Sequence, residues 1–497
     1  MKKILILISI LTGVSGYTFS QISPEWVRTY NGTANNNDEA LAIVHDRSDN
    51  IIVTGRVIST GNNNNFCTVK YNSAGVQQWA MIYNGTGNGY DGATGLTTDS
   101  TGNIYVTGQT RNSSMNYDIA LVKYSPAGDE LWVRIWNGIN NLSEIPNDIT
   151  SDYSGNIYIT GSTEVTTSNT NYITLKYNSS GVLQWAKQYN NPINNYDDAY
   201  FVRTDAAGNI YVTGNSIAQL TGSDFLTIKY NSSGDSLWVK RYNGTTASNE
   251  IPKGFAVDGN GNVFITGFST GIGTGIDFVT LKYNSGGVQQ WFARYDSTGG
   301  QDIPEDLEID AGGNVYVTGR TRITSTNDFA TIKYNSSGVR QWIAIYNNSN
   351  VNADDYGYDL ITDGEGNVYV TGTSQESGTN RDALTIKYNN SGIQQWIARY
   401  DATGSEETYA ITLDGSNNVY VTGYQGSVNS DFLTIKYSQS VGVNTISTEA
   451  GESYSLSQNY PNPFNPVTKI NYKLKTSNYV SLKVYDILGN EISTLIS

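Results

Sequence analysis

Asp99-Ser100-Thr101-Gly102-Asn103-Ile104-Tyr105-Val106-Thr107-Gly108 opens a pattern that continues through Asp118, Lys123-Tyr124 and Gly128 to Trp132. The chain of 497 residues carries this pattern eight times, at a spacing of about 53 residues. The glycine ending its first half recurs at Gly55, Gly108, Gly161, Gly214, Gly267, Gly319, Gly372 and Gly423. The lysine of its second half recurs at Lys70, Lys123, Lys176, Lys229, Lys282, Lys333, Lys387 and Lys436. A fixed period of this length marks a propeller, solenoid or array. Most repeated residues are then scaffold, and function belongs to what differs between copies.

Each copy reads as four short strands parted by turn residues. In the second they are 93–98, 104–108, 118–124 and 130–135. Asp, Gly and Asn at 99–103 suit a tight hairpin, in which the aspartate accepts backbone N–H bonds. Four antiparallel strands per unit and no helical period predict propeller blades. The last copy stops after its third strand, at 431–437, whereas the chain offers a spare fourth strand at 25–30. Eight tryptophans, Trp26, Trp79, Trp132, Trp185, Trp238, Trp291, Trp342 and Trp396, then serve eight blades as packing residues. The reading is an all-β chain: a closed eight-bladed β-propeller of four-stranded blades over 21–440, its N-terminal strand completing the last blade. Trp136 lies off the pattern and reads as packing too.

The core Asp-x-x-Gly-Asn-x-Tyr-Val-Thr-Gly followed by Lys-Tyr-Asn-Ser-x-Gly resembles the SBBP-type β-propeller repeat of secreted bacterial proteins. That resemblance covers roughly residues 38–440 and implies a propeller but no fixed activity. The family is often described as seven-bladed; the count here is eight. The units also resemble tryptophan-docked quinoprotein dehydrogenases. Those often carry paired cysteines, and this chain has one cysteine and uniform units.

Composition narrows the partners. A net charge of -15 and a pI near 4.5 exclude nucleic acid, whose phosphates require clustered Lys and Arg. Lys2 and Lys3, the apolar run Ile4–Leu11 and small residues up to Ser20 read as a secretory signal over 1–20. No apolar stretch is long enough for a membrane span. Cys67, alone, cannot form an internal disulfide and reads as a small buried residue.

Beyond a linker at 441–452, residues 453–497 change character, with Asn459-Tyr460-Pro461-Asn462-Pro463-Phe464-Asn465-Pro466 and then two strand patterns. This segment resembles the C-terminal sorting domain of type IX secretion cargo, a small β-sandwich. The family's domain normally runs further than Ser497, so an incomplete copy is expected. The resemblance implies the type IX secretion machinery as a partner, and a secreted or outer-cell-surface destination.

Three polar sets, mostly acidic, recur. Asp38, Asp91, Glu144, Asp197, Glu250, Asp302, Asp355 and Glu406 stand twelve positions before each turn asparagine. Asn65, Asp118, Asn171, Asp224, Asp277, Asp328, Asp382 and Asp431 begin the third strands. The turn aspartates run from Asp46 to Asp414 and read as turn caps. The first set is the candidate metal site, a rim of carboxylates for Ca²⁺ or another hard cation, against the alternative of backbone bonding. No other cofactor is implied. The lysines read as stems on the sheet with heads at turn aspartates. His45, the one histidine, excludes multi-histidine metal sites and reads as structural.

Variable loops between second and third strands mark the face expected to bind. The functional expectation is a monomeric binding or scaffold module for a glycan, surface polymer or protein, with no catalytic residue assigned. The alternative is a carboxylate-based polysaccharide hydrolase or lyase.

Overall fold

A computed structural model of the chain describes residues 20–439, apart from 60, 62, 167–168, 194, 219–221, 245–248, 298–299, 324, 349–352, 376–379 and 403. It further describes the strands Ser455–Leu456, Tyr472–Lys473, Leu482–Tyr485 and Glu491–Ile496. Residues 1–19, where a secretory signal is expected, the expected linker at 441–452 and the proline-rich motif lie outside the described residues. Contacts divide the chain into Gln21–Gln439 and a second unit of Met1–Ser20 with Ser440–Ser497. In the second unit Ser455–Leu456 pairs with Tyr472–Lys473, and Leu482–Tyr485 with Glu491–Ile496.

The first unit is an eight-bladed β-propeller of four-stranded antiparallel blades, with no helix among the described residues. Blades 1 to 7 span 39–83, 92–136, 144–189, 197–242, 251–295, 303–346 and 355–400; blade 8 joins 406–437 to Trp26–Tyr30. In that last sheet Trp26 lies opposite Lys436 and Tyr30 opposite Phe432. The first strands of neighbouring blades touch one another and surround the central channel. In blade 2 the strands are Gly92–Thr98, Ile104–Arg111, Tyr117–Tyr124 and Glu130–Trp136. They exceed the sequence expectation by one to three residues at their ends, because ladder pairing runs further: Gln109, Thr110 and Arg111 pair with Ile119, Asp118 and Tyr117.

Local chemistry accounts for each hairpin. Asp99 Oδ1 accepts the N–H groups of Thr101 and Asn103 at 2.9 and 3.0 Å, and Gly102 supplies the left-handed φ of 82°. The first strand of each blade bulges, in blade 2 between Ala93 and Gly95. The glycine of Val-Thr-Gly faces that bulge: a Cβ on Gly108 would lie 2.1 Å from the Gly92 carbonyl oxygen. Alternating buried residues of two blades then interlock. Ile52, Phe66 and Trp79 of blade 1 pack with Leu96, Val106, Val122 and Tyr124 of blade 2. The core therefore lies between blades rather than within any one of them.

The tryptophans form the joints. The Trp79 indole lies against Gly128 in the next blade and 6.1 Å from the Tyr124 ring, and its Nε1 donates to the Pro126 carbonyl at 3.2 Å. Lys70 Nζ donates to the same carbonyl. The lysine heads were expected at turn aspartates. Only Lys70 among the described ion pairs reaches one, Asp46 at 2.9 Å. The arrangement varies with the second-strand residue. In blade 2 the Tyr105 hydroxyl takes Asp99 Oδ2, and Lys123 sits over the Tyr105 ring and donates to the Ser179 carbonyl. Blade 1 has Ile52 where Tyr105 stands, and there Asp46 pairs with Lys70; blade 5 has Phe264, and Lys282 lies over its ring instead. Cys67 is buried and free, and Trp136 is half-buried against the core of blades 2 and 3.

Trp79→Ala removes the indole from one joint and should destabilise the folded chain by about 3–5 kcal/mol, read as a lower urea midpoint at unchanged slope.

Candidate functional site

All eight rim acids are fully buried. Each ties the loop that enters its blade. Asp38 accepts the Gly32 and Ile58 N–H groups at 2.5 and 2.7 Å, and Asp91 accepts Gly85 N–H at 2.8 Å and the Thr110 hydroxyl at 2.6 Å. Asp197 holds Asn191, Asp302 holds Ser297, Asp355 holds Asn348 and Glu406 holds Ala402, each through a backbone N–H. Glu144 and Glu250 reach the hydroxyls of Thr163 and Ser269. A carboxylate accepting backbone donors stiffens an irregular segment, so the rim fixes the loop end of the channel.

The second polar set begins the third strands and meets the rim acids at blade junctions. Asp118 acts on Glu144, Asp328 on Asp355 and Asp431 on Asp38, each raising its neighbour's pKa further after burial has done so. Oxygens of Asn65, Asn171, Asp328 and Asp431 are buried there without a hydrogen-bond partner in the protein. Among the described residues two junctions gather a third carboxylate: Asp277, Asp296 and Asp302 at one, and Asp382, Asp401 and Glu406 at the other.

Inside the channel the blades stop being alike. At the position after the bulge, blades 1, 2, 5 and 8 carry Ala42, Gly95, Gly254 and Ala410, whereas blades 3, 6 and 7 carry Asp148, Asp306 and Asp359. Each of these three accepts a backbone N–H from the next blade: Val202 at 2.9 Å, Leu360 at 3.3 Å and Ile411 at 2.8 Å. Arg203 donates to Asp148 at 2.5 Å. The Asp306 and Asp359 carboxyls hydrogen-bond each other, which requires one proton between them. Burial raises both carboxyls, and the Asp306 charge raises Asp359 further, so the pair shares one proton. Burial and the Asp306 charge raise Glu308 to about 7.

At the hairpin end the channel opens into a cavity of about 450 Å³. It is lined by the first turns of blades 1 to 5, including His45, Arg47, Tyr153 and the aspartates Asp46, Asp99, Asp152, Asp205 and Asp258. His45 Nδ1 lies 3.2 Å from the Thr412 hydroxyl of blade 8. Sequence reasoning had looked to the opposite, loop-bearing end.

That loop end carries a cluster that sequence reasoning missed. The rings of Tyr356 and Tyr358 stack at 6.2 Å and 1°, Tyr358 meets Tyr409 at 5.5 Å, and Tyr409 meets Tyr424 at 5.9 Å. Glu407 accepts bonds from the Tyr358 and Tyr424 hydroxyls and from Arg381 at 2.8 Å. Arg320 and Arg381 both lie over the Tyr356 ring. The signal was present: Tyr358 and Tyr409 stand at the bulge, where blades 1 and 2 carry Leu41 and Thr94.

The fold and these sites define a repeat propeller with local departures from its repeat. The family model for the Beta-propeller repeat matches residues 131–166 and 341–378, in agreement with the SBBP resemblance. An uncharacterized WD repeat-containing protein of Acanthamoeba polyphaga mimivirus is 26% identical over 209 residues. The match covers 36% of this chain and 14% of that protein, so the chain spans a small part of its relative. Among solved structures, Sqt1 of Chaetomium thermophilum superposes with a TM-score of 0.52 at 8% identity, covering 83% of this chain and 97% of that one. A PL25 polysaccharide lyase, an ulvan lyase, gives a TM-score of 0.45 at 10% identity over 83% of this chain and 98% of that one. Sqt1 supports the propeller fold alone.

The acids set a pH window. Burial raises Glu144, Glu308 and Glu406 from 4.5 to about 7. An acid raised in the folded state adds stability below its unfolded pKa and loses it as pH climbs through the folded value. The turn aspartates Asp46, Asp99, Asp205, Asp310 and Asp414 run the other way. Burial opposes their ionisation, but the turn hydrogen bonds together outweigh it and lower them. Their contribution is lost only as pH falls below the ordinary carboxylate range. Thermal midpoints should therefore peak at about pH 5 and fall toward pH 8. Glu308→Gln should remove about 2 kcal/mol of that decline, with water in the channel screening the rest; an unchanged midpoint-against-pH curve would contradict the assignment.

Proposed function

We propose that this protein is a binding module that takes a glycan or surface polymer at the loop-end mouth of blades 7 and 8. The observation that carries this reading is the tyrosine ladder Tyr356–Tyr358–Tyr409–Tyr424, set around Glu407 and flanked by two arginines. Flat aromatic faces receive the apolar face of a sugar ring, while fixed carboxylate and guanidinium groups meet its hydroxyls. Hydrogen bonds already hold the Tyr356, Tyr358 and Tyr424 hydroxyls, so little rotamer freedom is left there to lose on binding. A protein ligand on the same mouth is the other occupant of this class, since propellers commonly serve as scaffolds.

The reading includes a secreted or cell-surface, monomeric protein, exported through its leader at 1–20 and its sorting segment at 453–497. Sequence motifs support that part. It also includes a ring locked by the N-terminal strand, supported by the pairing of Trp26–Tyr30 with Asp431–Tyr437. Among the described residues no helix is long and apolar enough to cross a membrane.

The proton-sharing pair Asp306 and Asp359, with Glu308 beside it, favours one second reading: a carboxylate-based polysaccharide hydrolase or lyase acting in the channel.

A glycan and cell-envelope array probed with the full chain separates these outcomes. Saturable binding should weaken about tenfold in Tyr356→Ala, as expected for one lost stacking contact of about 1.4 kcal/mol. Silence across the array from a folded protein would sink the glycan reading. Polymer turnover abolished by Asp359→Asn would favour the enzyme instead.

A further inference from the structure

The loops that leave the fourth strands follow one rule with two exceptions. After the aromatic residue that ends the strand stands an asparagine at Asn31, Asn84, Asn137, Asn190, Asn243 and Asn347, but an aspartate at Asp296 and Asp401. These two aspartates fall at the two three-carboxylate junctions. Asp296 joins Asp277 and Asp302 between blades 5 and 6; Asp401 joins Asp382 and Glu406 between blades 7 and 8. In each trio one carboxylate oxygen from each residue lies within 4.8 Å of the others.

Buried oxygens without a protein partner occur at other junctions too, at Asn65, Asn171, Asp328 and Asp431, but at these two they belong to the three-carboxylate trios. Asp277 Oδ1 and Glu406 Oε1 are buried and have no hydrogen-bond partner in the protein. Both residues are 0% exposed. A buried carboxylate oxygen left unpaired beside two further carboxylates is costly unless something positive or protic occupies the space between them. One guanidinium already reaches each site, Arg294 on Asp277 at 2.6 Å and Arg399 on Asp382 at 2.8 Å. Three carboxylates and one guanidinium leave a charge of -2 when all are ionised, which a divalent cation cancels. At the other six junctions the loop residue is an amide. It brings no charge, and a water molecule suits the remaining pair of acceptors.

We propose that the junctions of blades 5/6 and 7/8 are two equivalent sites for a hard divalent cation, Ca²⁺ being the best match to an all-oxygen set. Asp277, Asp296 and Asp302 hold one ion; Asp382, Asp401 and Glu406 hold the other. Carboxylate oxygens with room for water ligands are what Ca²⁺ takes, whereas Mg²⁺ demands a tighter octahedron. Asp401 is exposed and Asp296 half-buried, so each site opens to solvent through the loop residue while its other acids stay buried. A bound ion ties a third strand and its outgoing loop to the first strand of the next blade. The ions thus brace the channel mouth at two places in the ring. The sites do not depend on the glycan reading, because the ion alone is the ligand.

Calcium titrated calorimetrically into the metal-stripped full chain tests this. Two ions per chain are expected, with a rise in thermal midpoint that grows with free Ca²⁺. Asp296→Asn and Asp401→Asn restore the residue of the other six loops, so both variants should fold. Each should bind one ion, and the double variant none. Absence of binding heat and of any midpoint shift at millimolar Ca²⁺ would overturn the proposal. So would a double variant that keeps the wild-type stoichiometry.

Discussion

A carbonyl oxygen at the tip of the turn between third and fourth strands is the acceptor on which most joints of the ring depend. Among the described residues, at five of the eight joints the Trp and Lys of one blade both donate to it, as Trp79 and Lys70 do at Pro126. Trp185 and Lys176 meet at the Ser232 carbonyl, Trp238 and Lys229 at Ser285, Trp342 and Lys333 at Asn390. Trp26 and Lys436 meet at Ser73 of blade 1, although 410 positions separate them in the chain. The turn glycine leaves the indole room, since a Cβ on Gly234 would stand 3.0 Å from Trp185. This single contact accounts for why Lys-Tyr, Asn-Ser-x-Gly and Trp travel together at fixed spacing. Each belongs to the same joint, but to two different blades.

The joint also disposes of a buried charge. A lysine head taken out of water loses hydration, and burial lowers Lys123, Lys333 and Lys387. Its ammonium recovers interaction from the neighbouring carbonyl and from the aromatic face beneath it, Tyr105, Tyr316 or Tyr369 at about 5 Å. The tyrosine in turn holds the hairpin aspartate. A chain of contacts therefore runs from the turn of one blade through its sheet to the turn of the next. Ile52 breaks that chain in blade 1, and Lys70 answers by pairing directly with Asp46.

Much of this was legible in the sequence because it repeats. Strand count, hairpin turns and the packing role of the tryptophans follow from residues that recur eight times under one local rule. The rim acids were visible by spacing, but their burial was not. Their distance to the Gly32, Gly85 or Asn191 N–H depends on how a loop folds back, and no pattern of residue types encodes that. The tyrosine ladder escaped for a related reason. Tyr356 and Tyr358 come from blade 7, and Tyr409 and Tyr424 from two strands of blade 8. Only the bulge in the first strands turns Tyr358 and Tyr409 toward each other. Attention had gone to the loops, where sequence varies most, and away from strand interiors, where a single changed residue is easy to overlook.

A repeat propeller separates scaffold from function by symmetry. Interactions found in every blade hold the ring and cannot single out a ligand. Interactions found in one or two blades contribute nothing to the common frame. On that criterion the departures inside the channel and at its loop-end mouth fall in blades 3 to 8. Asp148 and Arg203 pair across blades 3 and 4, Asp306 and Asp359 share a proton between blades 6 and 7, and the tyrosines gather over blades 7 and 8. Uniform joints make such departures tolerable. Five of the eight joints carry the same two donors on one acceptor, so a substitution in the channel or at its mouth leaves those bonds intact. The regularity that makes most of this chain functionally silent is what lets a few of its positions vary freely.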